Sequence, residues 1–208
     1  MMQQDTDAMG RLRAVVHRLR APGGCPWDRE QTHESLIPHL LEEAYEVADA
    51  IRGGQPELMC EELGDLLLQA VLHAEIASET GAFDLDRMAD MLTEKLIRRH
   101  PHVFGETSAE TADAVLTQWD AIKRVEKGHE KEGFLHGVGG GLPALMRAQK
   151  LQKKAARVGF DWPETAPVRE KVREEVDEVE EALAAGDTAK VEEELGDLLF
   201  SVVNLARK

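Results

Sequence analysis

The sequence predicts an all-α protein built from two tandem copies of one helical module. Three observations carry that expectation. First, the segment Leu40–Val71 returns as Val172–Val203 without a gap, at a constant offset of 132 residues. Second, apolar residues fall three and four apart through both segments, the spacing of one helix face. Third, hydrophobic residues make up 42% of the chain but aromatics only 4%. Cores must then rest on Leu, Val, Ile, Ala and Met, a composition that suits helix bundles better than β-sandwiches.

Each element follows in order. In the first copy Leu40, Leu41, Ala44, Val47, Ala48 and Ile51 form an apolar stripe, and Gly53-Gly54-Gln55-Pro56 breaks that helix. The next helix carries Leu58, Leu63, Leu66, Leu67, Ala70, Val71 and Ala74. A third follows Phe83 with Met88, Met91, Leu92, Leu96 and Ile97 and stops at His100-Pro101, where proline cannot continue the ladder. His100 and His102 are read there as helix-end or surface groups. The glycine-rich stretch 128–141 reads as a linker between domains 1–127 and 142–208. A helix then places Leu145, Ala148, Leu151, Gln152 and Ala155 on one side, with Arg147, Lys150, Lys153 and Lys154 on the rest. Ala184-Ala185-Gly186-Asp187 is the second copy's turn, and no strand pattern is found. A weaker echo pairs Gly24-Cys25-Pro26-Trp27 with Gly159-Phe160-Asp161-Trp162, and both tryptophans are expected to anchor their loops in the core. The second copy ends at Lys208, the counterpart of Ile76, and so reads as short relative to the first.

Charge and thiols narrow the function. A formal net charge of −15 offers no basic footprint for DNA or RNA, so no nucleic-acid partner is expected. Cys25 and Cys60 lack the spacing of a disulfide framework or a zinc site. No signal peptide and no run of about 18 apolar residues is present, which points to a cytoplasmic protein with no membrane partner. A GxxxxGK[ST] phosphate loop is also absent.

The chemistry lies in the acids of the repeat. Residues three apart share a helix face, so Glu43 projects with Glu46 and, from the next helix, Glu62 with Asp65. A short turn makes the two helices antiparallel neighbours, and four carboxylates can then converge. Such a cluster either raises its pKa values or recruits a cation, and an oxygen-only set suits Mg²⁺, with Mn²⁺ as a substitute. Lone acids at this spacing usually form a solvated face. Here they border apolar stripes and recur as Glu175, Glu178, Glu194 and Asp197. Gly64 and Gly196 sit at matching mid-helix positions, where glycine costs about 1 kcal/mol relative to alanine. They suggest close approach of a backbone or ligand, or tight helix packing.

The segments LEEAYEVADAI…EELGDLL and REEVDEVEEAL…EELGDLL resemble the EExxE…ExxD signature of MazG-type nucleoside triphosphate pyrophosphohydrolases. The resemblance extends to GCPWDREQTHESL, EKLIRRHPHVF, LPALMRAQKLQKKAARVGFDW and the tandem arrangement. It implies an all-α homodimer that uses Mg²⁺ to cut nucleoside triphosphates to monophosphate and pyrophosphate. It further implies metal ligation by Glu43, Glu46, Glu62 and Asp65 and by Glu175, Glu178, Glu194 and Asp197. Glu42 and Glu174 would position the attacking water or support the ligands. Lys171 and Lys190, each four residues before a ligand, would contact nucleotide; spacing alone equally allows a simple pair with the following Glu. The first copy has His39 and Leu58 instead, but keeps a basic helix with Lys95, Arg98 and Arg99 that the second copy lacks. Both copies stand as binding candidates. Two alternatives stay open: a regulatory module that binds nucleotide with little turnover, and an enzyme restricted to particular dNTPs.

Overall fold

The computed structural model describes residues 7–126, 128 and 133–208. The acidic N-terminal residues 1–6 and part of the glycine-rich stretch, 129–132, lie outside the described residues. Among the described residues the structure is helical, with no strand. The elements are α1 (Ala8–Arg20), α2 (Pro26–Glu30), α3 (Ile37–Gly53), α4 (Pro56–Glu79), α5 (Leu85–Arg99), α6 (Pro101–Phe104), α7 (Ala112–Glu126), α8 (Ala144–Ala156), α9 (Thr165–Ala185) and α10 (Thr188–Arg207). No helix among the described residues is long and apolar enough to cross a membrane.

The chain divides into two compact units, 1–119 and 120–208. The division falls inside α7, ahead of the glycine-rich stretch. Contacts within the second unit explain its start: Asp120 pairs with Arg157 at 2.8 Å, Val138 is buried, and Arg124 and Lys154 both lie over the Phe134 ring.

In each unit the repeat forms a helical hairpin, α3 with α4 and α9 with α10. Both hairpins turn on a glycine in left-handed conformation. Gly54 (φ 63°) donates its N–H to the Ala50 and Ile51 carbonyls, and Gly186 (φ 70°) donates to those of Ala182 and Leu183. A side chain there would cost roughly 1–2 kcal/mol, which is why both copies carry glycine. The following helices start differently. Pro56 presets the first turn of α4, whereas the Asp187 side chain accepts from the Lys190 N–H to cap α10.

The first unit's core packs α1 on the C-terminal half of α4. Val16, Leu36, Val71, Leu72 and Ile76 are buried together, with Leu12, Leu68 and Leu85 against them. Each such side chain contributes about 1.5–3 kcal/mol. Arg20 closes the end of this core: it grips Glu79 through two bonds of 2.7 and 2.9 Å and donates to the Asp28 and Gln31 carbonyls. In the second unit Gln152 of α8 is buried and donates to the Phe200 carbonyl at 2.7 Å.

One expectation is corrected. Trp27 is 52% exposed and Trp162 39%, so neither anchors its loop in a core. Polar clamps do that work instead: Arg20 on the α2 loop, and Arg207 with Lys208 on Asp161. The apolar stripe of α3 is largely open. Val47 is buried, but Leu41 is 54% and Ile51 57% exposed. A two-helix hairpin covers only one side of each helix, and this stripe is wider than that side. His100, by contrast, sits at the end of α5 and bonds the Leu96 carbonyl at 2.7 Å, the expected helix-end role.

Candidate metal and nucleotide site

The i,i+3 spacing on α4 turns Glu62 and Asp65 toward α3, and the Gly54 turn brings Glu43 of α3 alongside. Carboxylate oxygens of Glu43, Glu62 and Asp65 lie within 4.8 Å of one another. The second hairpin repeats this with Glu175, Glu194 and Asp197. Glu46 and Glu178 stand outside these tight groups but share their field. Partial burial raises the Glu43 and Glu62 pKa values, and the charge of Glu46 raises both further, as does that of Asp65. Glu178 is likewise raised by burial, then by Glu194 and Glu175.

The two sites differ in burial and in cations. The acids of the first group are half-buried. In the second, Glu175 and Glu194 are only 3% and 4% exposed. One carboxylate oxygen of Glu175 is buried without any hydrogen-bond partner. Leaving such an acceptor unsatisfied costs about 1–3 kcal/mol, more when it is charged. A buried carboxylate that keeps an oxygen free beside two other acids is suited to a hard divalent cation.

Lys171 and Lys190 partly neutralise the second group. Lys171 Nζ lies 2.8 Å from Glu174 and 2.7 Å from Glu175. Lys190 Nζ lies 3.3 Å from Glu193 and 2.5 Å from Glu194. Bonds to Glu194 and then Glu193 push Lys190 up to about 12, and bonds to Glu174 and Glu175 raise Lys171 as well. The first group has no such lysines. His39, in the Lys171 position, approaches exposed Glu42 only at 3.8 Å. The charges that raise Glu43 and Glu62 are acids on α3 and α4.

Lys95, Arg98 and Arg99 lie together near the end of α5, with the Arg99 guanidinium over the Trp119 ring at 5.4 Å. The structure thus unites the carboxylates from α3 and α4 and places these cations on a separate element. Gly64 and Gly196 leave open space: a Cβ built on either meets no atom within 4 Å. Helix packing within the chain therefore does not require them, and the face beside Asp65 and Asp197 is clear for a ligand or a partner.

Two neighbours were not singled out from sequence: Glu61 acts electrostatically on Glu62, and Glu193 pairs with Lys190. The Trp27 ring meets His39 edge-on at 5.8 Å. The doublets Glu61-Glu62 and Glu193-Glu194, parallel to Glu42-Glu43 and Glu174-Glu175, were the available signal for the acids.

A family model described as the MazG nucleotide pyrophosphohydrolase domain matches residues 31–104 and 165–208, which contain the two carboxylate groups. A protein of Escherichia coli (strain K12) named nucleoside triphosphate pyrophosphohydrolase is 50% identical over 201 residues, 95% of this chain and 76% of that protein. A Thermotoga maritima protein named nucleoside triphosphate pyrophosphohydrolase/pyrophosphatase MazG is 48% identical over 196 residues, 94% of this chain and 74% of its own length. A Mycobacterium tuberculosis protein named nucleoside triphosphate pyrophosphohydrolase is 43% identical over 149 residues, covering 71% of this chain and 44% of its own. With both hairpins matched and most of its length shared with such relatives, the chain belongs to the MazG family.

Proposed function

We propose that this protein hydrolyses nucleoside triphosphates between the α and β phosphates, releasing the monophosphate and pyrophosphate. The observation that carries this reading is the twice-built carboxylate group, with the partnerless buried oxygen of Glu175 at its centre. Mg²⁺, or Mn²⁺ in its place, suits this oxygen set, with Glu43, Glu46, Glu62 and Asp65 as ligands in one unit and Glu175, Glu178, Glu194 and Asp197 in the other. Such an ion supplies charge neutralisation for the triphosphate and lowers the pKa of bound water.

The remaining roles belong to the chain. Lys171 and Lys190 release their glutamates to hold phosphate oxygens, and Lys95, Arg98 and Arg99 provide positive charge in the first unit. Glu42 and Glu174 orient the attacking water. The open stripe of α3 is covered by a second copy, making a homodimer, and the free thiols Cys25 and Cys60 suit the cytoplasm. The names of the relatives support the substrate class. The test is product analysis across a panel of NTPs and dNTPs. Metal-dependent release of pyrophosphate and monophosphate in equal amounts is expected. Release of orthophosphate and diphosphonucleoside, or metal-dependent binding without turnover, would contradict the reading.

A further inference from the structure

The second unit holds a cavity of about 180 Å³ with a different charge, and none of the clustered carboxylates lines it. Lys150, Lys153 and Lys154 of α8 and Arg157, its C-cap, line it with Lys123 and Arg124 of α7 and the 136–139 turn. The three α8 cations and Arg157 follow the i, i+3, i+4, i+7 pattern of one helix face. Among the described residues Asp120 is the one carboxylate in this lining, and it is paired to Arg157 at 2.8 Å. In a chain of net charge −15, a cavity whose described lining holds six cations and one acid departs from the surrounding field.

Ordinary helix electrostatics accounts for part of this. Lys153 and Lys154 occupy the last turn of α8, and Lys123 and Arg124 that of α7, where cations complement the dipole. That does not explain Lys150, nor why two helix ends turn their cations into one hollow. Neighbouring like charges on a helix face cost a few tenths of a kcal/mol per pair. Among the described residues Lys150 and Lys153 meet no acid that would offset this. Two of the lining cations lie over the Phe134 ring: Lys154 Nζ is 4.8 Å from its centre and the Arg124 guanidinium 5.6 Å.

We infer that this cavity is an anion site for a diphosphate group, separate from the carboxylate sites and occupied without a metal ion. The volume is below the roughly 300 Å³ at which pockets for whole drug-sized ligands begin, so it takes a phosphate chain and leaves any base and sugar outside. The ligand is therefore free pyrophosphate or the phosphate tail of a nucleotide. The inference stands on the cations alone and does not depend on the activity proposed above.

The test is calorimetric titration of the full 208-residue chain with inorganic pyrophosphate in excess EDTA, which silences any metal-dependent site. Saturable binding is expected. Lys150→Glu/Lys153→Glu should weaken it at least about tenfold, the scale of losing one or two charge-assisted hydrogen bonds. Lys150→Gln/Lys153→Gln should weaken it in the same direction, with an unchanged thermal melt in both variants. Lys171→Ala/Lys190→Ala should bind as wild type does. Displacement of pyrophosphate by ATP in EDTA identifies the nucleotide tail as a ligand, and failure to displace it identifies free pyrophosphate; either supports the site. No saturable binding in EDTA, undiminished binding by the Lys150/Lys153 variants, loss in the Lys171/Lys190 variant, or binding of a duplex oligonucleotide but not pyrophosphate would overturn it.

Discussion

Lys171 and Lys190 give the second carboxylate group its own internal cations, and the first group has none. Such i,i+4 pairs contribute only a few tenths of a kcal/mol, and Lys190 is about half exposed, so on the proposed reading a divalent ion would displace them at small cost. The released lysines would then lie one helical turn from the ligand glutamates, able to meet phosphate. Lys190→Met should therefore raise Mn²⁺ affinity in the absence of nucleotide, by about 1.5- to twofold on this scale, while lowering affinity for NTP with metal. Calorimetry on both ligands checks this, and a fall in both affinities would assign Lys190 a purely structural role. The acids were legible in the sequence because helix spacing fixes which residues share a face and the repeat showed the pattern twice. The lysines were only half legible. The spacing that lets Lys190 reach a ligand site is the same spacing that pairs it with Glu194, and only coordinates show that the pair is made.

The α9–α10 hairpin illustrates what a pattern of apolar residues does and does not fix. Its turn was readable, because a left-handed residue after a helix calls for glycine and Gly186 is there. The role of Gly196 was not, because mid-helix glycine signals close approach without saying of what. The open space around it means that Gly196→Ala should raise helix stability by about 1 kcal/mol, and because residues one and two apart do not share a helix face with Asp197 and Glu194, turnover should hold. A thermal melt beside a kinetic assay checks both; a fall in turnover would give this glycine a functional reason that the helix face does not supply. The loop before α9 makes a second prediction. Bonds from Arg207 and then Lys208 lower Asp161 from 3.8 to about 2. A carboxylate lowered on folding contributes stability that is complete above its unfolded value and is lost as pH falls toward its folded value. Asp161→Asn should make the fall in melting temperature between pH 4 and pH 2 shallower than in wild type. An unchanged slope would mean that this clamp does not form in solution. Trp162 misled the sequence reading here, since an aromatic in a loop looks like an anchor while the holding is done by charge.

Taken together, the two units leave apolar side chains uncovered on both repeats, among them Leu41, Ile51, Leu183 and Leu199. The pattern showed which residues were apolar, but one chain's sequence does not say whether a stripe faces its own helices or another copy. Light scattering at micromolar concentration should give about twice the 23.1 kDa chain mass, and a monodisperse monomer would remove the homodimer from the account. The tandem all-α organisation was legible throughout, because a gap-free repeat with helical periodicity leaves few other folds. The partition inside α7 was not, because it depends on Asp120, Phe134 and Val138 meeting α8 or the core across long sequence separations. On the proposed reading both carboxylate groups hold metal for hydrolysis, and the more buried, lysine-equipped second group carries most of the turnover. The most direct measurement compares pyrophosphate release by wild type, Glu62→Gln and Glu194→Gln with Mg²⁺. The account predicts release that requires the metal and falls at least about tenfold in Glu194→Gln, the scale of a damaged metal site. Undiminished release by Glu194→Gln, or none from wild type despite metal-dependent NTP binding, would contradict it.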